Sequence, residues 1–357
     1  MKAGWVTKRL GDAATLQRGF DLPTQDRVSG TVPLVSSSGI IDTHDKSAVR
    51  GPGVVTGRSG SIGNIFFIEE DFWPLNTTLY VKDFHGNDPR FVFYLLKRFD
   101  LNRFATGSGV PTLNRNFVHD ELVNVPIFTE QKRIAGILDE ALDGIATAKA
   151  NAEKNLQNAR ALFESHLQAV FTQRGEGWAE TTVDKLSTNL DSRRVPITKS
   201  DRASGKYPYY GASGIVDHVA EYIFEGNALL VSEDGANLLM RSTPIAFSVS
   251  GKYWVNNHAH ILKFKNIPTQ RFVEFYLGSI KVDDYITGAA QPKLNQKALN
   301  SIPIPIPKSI DAQTTVVDSI EVLSAETQRL ESLYRQKLAA LDALKKSLLD
   351  QAFTGLL

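Results

Sequence analysis

The chain contains no cysteine, which excludes disulfide bonds and thiolate metal sites from its 357 residues. No apolar run approaches the ~18 residues of a membrane span, and the first residues, MKAGWVTKRLGD, lack the apolar stretch of a signal peptide. Neither sign of charge is in excess, because 40 basic residues against 39 acidic ones give a net charge of +1. We therefore expect a cytoplasmic protein. Any nucleic-acid surface on it must come from local clusters of Lys and Arg, not from total charge.

The sequence motifs of common enzymes are also missing. The Gly-Lys pairs at 205–206 and 251–252 are each followed by Tyr, which cannot supply the magnesium-binding hydroxyl of a phosphate loop. The glycines of GRSGSIG, at 57–63, are spaced three apart, whereas a dinucleotide loop needs G-x-G-x-x-G. There is no G-x-S-x-G nucleophile elbow and no [DNS]-P-P-[YF] segment of the amino-methyltransferases. The sequence therefore predicts a non-catalytic protein.

One close pair of histidines, His258 and His260, alternates along a predicted strand, so both side chains should lie on one face. A metal site would need further ligands. Polar residues that face DNA, or that form a hydrogen bond at the edge of the core, are the favoured interpretation. We expect no metal in this chain.

What the sequence does contain is a long repeat. Residues 131–171 and 313–353 match without a gap at one offset of 182, as from Gln131 to Gln313. Apolar residues recur in both segments at spacings of three and four, which is the helix period. Thr327 and Lys345 interrupt the second stripe, although Leu344 covers the place next to Lys345. About 41 helical residues span roughly 60 Å. One apolar stripe on so long a helix favours a coiled coil over the alternative, a helix lying along a globular core.

The segments that precede these two helices also repeat each other. Both are predicted to mix strands and short helices, with glycine turns between them. The predicted strands are 53–57 (GVVTG), 64–70 (NIFFIEE) and 227–233 (NALLVSE), and the matching short helices are 90–98 and 270–278. The shared landmarks are SGIID at 38–42 and SGIVD at 213–217, then GSGVPTLN at 107–114 and GAAQPKLN at 288–295. The polar loop residues between the landmarks differ, as two related domains with different targets would require.

This doubled order resembles the DNA-specificity (S) subunit of type I restriction–modification systems. In each half an SGIxD-like turn, a G-x-x-x-P-x-L-N segment, a proline-rich strand and a Gln-started helix follow one another, and the resemblance covers essentially the whole chain. The second half departs from the pattern in two places. Its long helix starts DAQTTVV (311–317) instead of TEQKRIA (129–135), and Ala289-Ala290 stand where the first half has Ser108-Gly109.

The resemblance implies an α+β fold of four segments with a pseudo-two-fold internal repeat. These are a first target recognition domain at 1–130, a spacer helix at 131–173, a second recognition domain at 174–312 and a second helix at 313–357. The helices would pair antiparallel as a coiled coil. Each domain would bind one half of a bipartite, asymmetric DNA site, with the half-sites roughly 34 Å apart.

In that family the chain carries no cofactor and does no chemistry. It recruits two methyltransferase (M) subunits, which use S-adenosylmethionine, and often two restriction (R) subunits, which use ATP and Mg²⁺. Double-stranded DNA is the other partner, and no membrane is involved. The alternatives are a coiled-coil scaffold without DNA recognition, or the specificity part of a methyltransferase-only system. An enzyme with a cryptic site is disfavoured by the missing motifs.

Candidate DNA contacts are polar side chains in exposed turns, because Arg, Lys, Asn, Gln, Ser and Thr bind base edges and phosphates. For each, the alternative is a turn whose polar side chains satisfy the backbone. The first-domain candidates are Ser36, Ser37, Ser38, Arg58, Ser59, Ser61, Asn76, Thr112 and Asn114. The second-domain candidates are Arg193, Arg194, Ser213, Ser232, Asn237, Asn257, His258, Lys293 and Asn295. Arg193 and Arg194 are adjacent and form a basic run. A more widely spaced basic group in the first domain comprises Arg18, Arg27, Lys46 and Arg50.

Overall fold

The computed structural model describes residues 4–107, 111–288 and 291–357, so the paired segments Ser108-Gly109 and Ala289-Ala290 lie outside the described residues. The first domain has strands β1 (Trp5–Arg9), β2 (Thr15–Arg18), β3 (Val32–Ser36), β4 (Gly39–His44), β5 (Gly53–Gly57), β6 (Ile65–Ile68), β7 (Trp73–Pro74), β8 (Thr78–Asp83), β9 (Ala105–Thr106), β10 (Thr112–Leu113) and β11 (Leu122–Pro126). Its helices are α1 (Pro89–Arg98) and α2 (Arg115–His119), and the long helix α3 (Phe128–Thr172) follows.

The second domain repeats this succession of elements. Its strands are β12 (Trp178–Thr182), β13 (Ser187–Asn189), β14 (Ser204–Gly211), β15 (Gly214–Val219), β16 (Phe224–Glu225), β17 (Ala228–Ser232), β18 (Ala246–Val249), β19 (Lys252–Val255), β20 (Ala259–Phe264) and β21 (Pro303–Pro307). Its helices are α4 (Val183–Leu186), α5 (Asn237–Met240), α6 (Ile267–Ser279) and α7 (Gln296–Ser301), and the long helix α8 (Ile310–Thr354) follows.

The two domains share one sheet topology. A four-stranded antiparallel sheet has the order β2-β8-β5-β6 in the first domain and β13-β20-β17-β18 in the second. A second sheet has the order β4-β3-β7 in the first and β15-β14-β19-β16 in the second. Each of these second sheets contains one parallel pair, which is β3 with β7 in the first domain and β14 with β19 in the second. The predicted internal repeat is therefore confirmed as a repeat of fold, and the predicted strands and short helices are present as β5, β6, β17, α1 and α6.

The long helices α3 and α8 pack together in antiparallel orientation, as predicted. Lys149 Nζ lies 2.7 Å from Asp342 Oδ1, and Arg160 Nε lies 2.8 Å from Glu331 Oε1. The residue numbers rise along α3 while those of the partners fall along α8, which only an antiparallel pair permits. The chain forms two compact units, residues 1–153 with 335–357 and residues 154–334. Each unit contains one of these ion pairs.

Each domain builds its core with residues from both long helices. In the first unit, Ile134 from the start of α3 and Phe353 from the end of α8 belong to the same buried cluster as Phe91 of α1. The Phe353 and Phe91 rings are 5.2 Å apart. In the second unit the roles are exchanged, because Phe171 from the end of α3 packs 5.4 Å from Phe272 of α6.

The matched glutamines at the helix starts explain how each helix is fixed to its domain. Buried Gln131 donates to Pro126 O at 2.8 Å and accepts from Asp88 N at 2.8 Å. Buried Gln313 donates to Pro307 O at 2.7 Å and accepts from the hydroxyl of Thr269 at 2.6 Å. One side chain thus joins the proline-rich strand, the long helix and the N-terminal end of the short helix. These hydrogen bonds fix the start of each long helix to its domain.

Candidate nucleic-acid interface

Three of the predicted polar segments of the first domain meet at one end of its sheets. The backbone N–H groups of Arg58 and Ser59, just beyond β5, donate to Thr77 O at 2.8 and 3.1 Å. Ser37 N donates to the Thr77 hydroxyl at 3.4 Å. The serine turn after β3, the glycine-rich loop after β5 and the Asn-Thr-Thr segment before β8 therefore form one cluster.

The G-x-x-x-P-x-L-N segment joins the same cluster. Leu113 N donates to Arg58 O at 2.7 Å, and Ser59 forms an isolated backbone bridge with Thr112. Asn114 caps α2 with its side-chain oxygen, which accepts the N–H two residues later at 3.1 Å. The sequence placed these residues in separate loops, and the fold brings them together.

Arg58 lines a cleft of about 390 Å³ in this cluster. Its guanidinium donates to Asn76 O at 3.3 Å, and its side chain is half-buried. Thr112 and Asn114 line the cleft as well, and Arg115 lies beside them at the start of α2. Sequence reasoning missed Arg115 because it lies in no basic run. Only its position next to the capping Asn114 could have indicated it.

The remaining first-domain candidates differ in their exposure and in their hydrogen bonds. The Ser36 hydroxyl is almost fully buried and donates to Gly39 O at 3.1 Å, which holds the β3–β4 turn. Asn76 donates to the carboxylate of Asp21. Ser38 and Ser61 are exposed. The first two side chains therefore shape the loops, and the exposed serines remain candidates for direct contact.

The second domain has a cluster at the corresponding place. Leu294 N donates to Glu233 O at 2.8 Å, as Leu113 N does to Arg58 O. Lys293 bridges to Asp234, as Thr112 does to Ser59. Glu233 therefore occupies the position of Arg58, and Lys293 that of Thr112. Equivalent backbones present side chains of different charge.

The carboxylates of this second cluster are met by internal cations. Arg194 Nη1 lies 2.6 Å from Glu233 Oε2, and Lys293 Nζ lies 3.1 Å from Glu233 Oε1. His260 Nδ1 lies 2.5 Å from Asp191 Oδ2, while its Nε2 lies 2.7 Å from the carbonyl oxygen of Leu294. A carbonyl only accepts hydrogen bonds, so Nε2 carries a proton. The other ring nitrogen, Nδ1, faces the Asp191 carboxylate, so His260 joins Asp191 to the segment that contains Leu294.

These contacts determine how the two carboxyl groups titrate. Burial raises the pKa of Asp191, but hydrogen bonds and charge attraction from His260, and the Ile261 N–H, bring the pKa below its ordinary value. Burial likewise raises the pKa of Glu233, and the cations Arg194 and His260 lower it further than burial raises it. Both groups are therefore held as carboxylates in the folded protein.

Asp191, Glu233 and His260 are also the one group among the described residues whose ligand atoms could converge on a metal ion, all lying within 4.8 Å of one another. Arg194 and Lys293 already neutralise the carboxylates there, so a metal would have to displace them. His258 contacts a different carboxylate, that of Asp234, at 2.9 Å. We assign the buried cluster a structural role, and His258 stays at the exposed rim.

The other second-domain candidates also divide into buried and exposed side chains. Ser232 is fully buried and its hydroxyl donates to Ala212 O at 2.5 Å. Asn237 closes its own loop, accepting from Thr243 N and donating to Thr243 O, both at 3.0 Å. Asn295 caps α7 by accepting the N–H of Ala298 at 3.0 Å. The exposed candidates are Arg193, Ser213, Asn257, His258 and Lys293.

No helix among the described residues is long and apolar enough to cross a membrane. The family model for the type I restriction modification DNA specificity domain matches residues 2–157 and again residues 175–339. The repeat is thus also a repeat of this family's domain, one copy for each half.

Comparisons with individual proteins agree. A provisionally named type I restriction enzyme specificity subunit of Haemophilus influenzae is 34% identical over 182 residues, which cover 46% of this chain and 46% of that protein. The match therefore spans about half of the length of that relative.

Solved structures share the fold over nearly the whole chain. The HsdS subunit of Thermoanaerobacter tengcongensis has a TM-score of 0.62 at 16% identity, covering 100% of this chain and 98% of that one. The S subunit of M. genitalium has a TM-score of 0.52 at 17% identity, covering 98% and 96%. A chain from a type I restriction–modification complex gives a TM-score of 0.76 at 15% identity, covering 99% and 98%. With both halves matched by the family model, this chain belongs to the type I restriction–modification DNA specificity subunits, the non-catalytic DNA-specificity component of these systems.

Proposed function

We propose that each domain binds its own half of a bipartite, asymmetric DNA site. The observation that carries this proposal is the pair of equivalent clusters, in which one backbone arrangement presents Arg58 and Thr112 in the first domain and Glu233 and Lys293 in the second. Base edges in the major groove are distinguished by their donors and acceptors, so different side chains at the same place select different bases. Two domains of one topology then recognise two unlike half-sites.

The proposed contacts follow from exposure. Buried side chains, and half-buried ones that cap a helix, close a loop or bind an internal carboxylate, would hold the loops in shape. The other exposed or half-buried side chains of the clusters would contact DNA directly. The proposed direct contacts are Ser37, Ser38, Arg58, Ser59, Ser61, Thr112, Arg193, Ser213, Asn257, His258 and Lys293. The proposed loop-holding residues are Ser36, Asn76, Asn114, Arg194, Ser232, Asn237 and Asn295.

We further propose that the chain acts in the cytoplasm with two methyltransferase subunits, which supply S-adenosylmethionine chemistry. Restriction subunits that use ATP and Mg²⁺ would join the same complex. The basis for these partners is family membership. In such a complex this chain contributes recognition, and the reacting groups belong to the partner subunits.

A map of methylated adenines in cells that carry the protein, compared with cells that lack it, tests the proposal. We expect a bipartite motif with a fixed unrecognised gap, and we expect Arg58→Ala to alter one half of the motif only. No difference between the maps, together with no footprint of the assembled complex on DNA, would favour the scaffold alternative. Methylation without ATP-dependent cleavage would indicate a methyltransferase-only system.

A further inference from the structure

The first-domain cleft contains two arginines besides Arg58. Arg18, at the end of β2, and Arg115, at the start of α2, line it together with Arg58. Among the described residues, no acidic side chain lines this cleft. Arg18 has one partner, Asp21 at 3.3 Å, in an ion pair whose members are 51% and 67% exposed. So exposed a pair is weak and leaves Arg18 available to a stronger anion.

The second domain shows that the scaffold does not need these arginines. Arg18 lies opposite Leu79 in the β2–β8 ladder, and His260 of β20 holds the place of Leu79 in the second domain. The β13–β20 ladder ends at the pair Asn189–Leu262, and its register, continued by two residues, places Asp191 beside His260. Each capping asparagine is followed by the first residue of the short helix. This residue is Arg115 in the first domain, and in the second domain it is Gln296. The same fold is thus built with an acid and an amide at the two arginine positions. A purely structural role for the arginines is therefore disfavoured.

We propose that Arg18 and Arg115 hold one backbone phosphate of the DNA in this cleft, beside the base contact of Arg58. The second domain would not make this contact in the same way, because the two equivalent positions carry no arginine. The inference rests on the proposed function, since it takes DNA as the ligand. It adds a phosphate site built from two residues that have no basic counterpart at the equivalent positions of the second domain.

The chemistry of the cleft fits a phosphate. A guanidinium offers planar, paired N–H donors that match two phosphate oxygens, and it is less strongly hydrated than an ammonium group. Thr112, Asn114 and Asn116 add uncharged polar groups around the same space. A phosphate contact fixes the position of the duplex without selecting a base, which complements a base contact from Arg58.

The test is the salt dependence of DNA binding. The full chain, with its methyltransferase subunits, is titrated with a random-sequence duplex at several salt concentrations by fluorescence anisotropy. For the double variant Arg18→Gln/Arg115→Gln, we expect the slope of log K against log salt to become shallower by about one, the value for one lost phosphate. Affinity should fall together for all sequences. The charge-preserving variant Arg18→Lys/Arg115→Lys should keep most of the slope.

Arg9→Gln is the matched control, because Arg9 is an exposed first-domain arginine outside the cleft, paired with Asp120 at 2.9 Å. Its slope should equal that of wild type, and melting temperatures should show that all variants are folded. An unchanged slope for the glutamine double variant would overturn the phosphate site. So would altered base preference at an unchanged slope, which would make the arginines base contacts. If wild type binds no DNA, the proposed function itself fails, and this result is distinguishable from the other two.

Discussion

Two adjacent arginines, Arg193 and Arg194, lie in different environments. Arg193 is exposed, with its guanidinium 5.5 Å from the centre of the Phe224 ring. The side chain of Arg194 is 14% exposed and is paired with Glu233, and it also donates to the carbonyl of Ala259 at 2.8 Å. The sequence could group the two arginines as a basic run. It could not separate them, because Glu233 lies 39 positions away along the chain.

We predict that Arg194→Met destabilises the second domain by about 1–3 kcal/mol, because the buried Glu233 carboxylate loses its nearest cation and keeps only the more exposed Lys293. Chemical denaturation measures this loss. Arg193→Met is the matched variant, and it should keep the stability while weakening DNA binding uniformly across sequences. Equal stability of the two variants would show that the Arg194 ion pair contributes nothing.

The same cluster predicts a pH dependence. The pKa values of Asp191 and Glu233 are both lowered in the folded protein. As the pH falls, these two carboxyl groups therefore bind protons in the unfolded state before they do so in the folded state. The stability that they give the folded protein is complete at neutral pH and is lost through and below about pH 4. The melting-temperature difference between wild type and Asp191→Asn should narrow in acid. The exposed control Glu221→Gln should follow wild type throughout, and a constant difference for Asp191→Asn would contradict the assignment.

Arg58 provides the test of base recognition. An arginine paired bidentately with guanine contributes about 1–3 kcal/mol of discrimination. Arg58→Ala should therefore relax one base of one half-site and leave the other half-site unaffected. Binding to cognate and single-mismatch duplexes at two salt concentrations measures this. A uniform loss with a shallower salt slope would instead assign Arg58 to a phosphate, and wild-type behaviour would make its loop structural.

At the scale of elements, the long helices could be predicted from the sequence, and the cluster of loops in each domain could not. A helix can be predicted from the local sequence, because its apolar residues recur at spacings of three and four. Thr327 interrupts the apolar stripe of α8, yet it is buried, whereas Leu323 and Leu330 on either side of it are half-buried. The clusters depend on sheet order instead, as when Leu113 meets Arg58, a distant residue in the sequence. Periodicity holds no information about which strands become neighbours.

The paired faces of α3 and α8 predict the effect of a charge placed on them. Leu156 and Leu338 lie on the apolar stripes and are partly buried. Replacing either by Asp should destabilise the protein by several kcal/mol, because a carboxylate loses water without gaining a partner. Leu162, which is 63% exposed on α3, supplies the control Leu162→Asp, expected to melt near wild type. Unchanged melting of both stripe variants would show that the stripes are not buried against each other.

At the scale of the whole molecule, the repeat links stability in each domain to the end of one long helix. Phe353 packs on Phe91 in the first domain, and Phe171 packs on Phe272 in the second. Replacing a buried Phe by Ala costs about 3–5 kcal/mol. Phe353→Ala should therefore lower hydrogen-exchange protection mainly in β1–β11 and α1. Phe171→Ala should lower it mainly in the second domain, and the same protection pattern for both variants would contradict this division.

The shared core also has a consequence for synthesis of the chain. The strands β1–β11 leave the ribosome before α8, yet the core that they surround is completed by Leu349, Ala352 and Phe353 near the end of α8. At about 5–20 residues per second, the wait between them is roughly 10–50 s. The second compact unit lies within residues 154–334 and does not include the final turns of α8. The first domain is thus completed after the second, and a nascent chain that stops between residue 334 and the end of α8 leaves the apolar core of the first domain open.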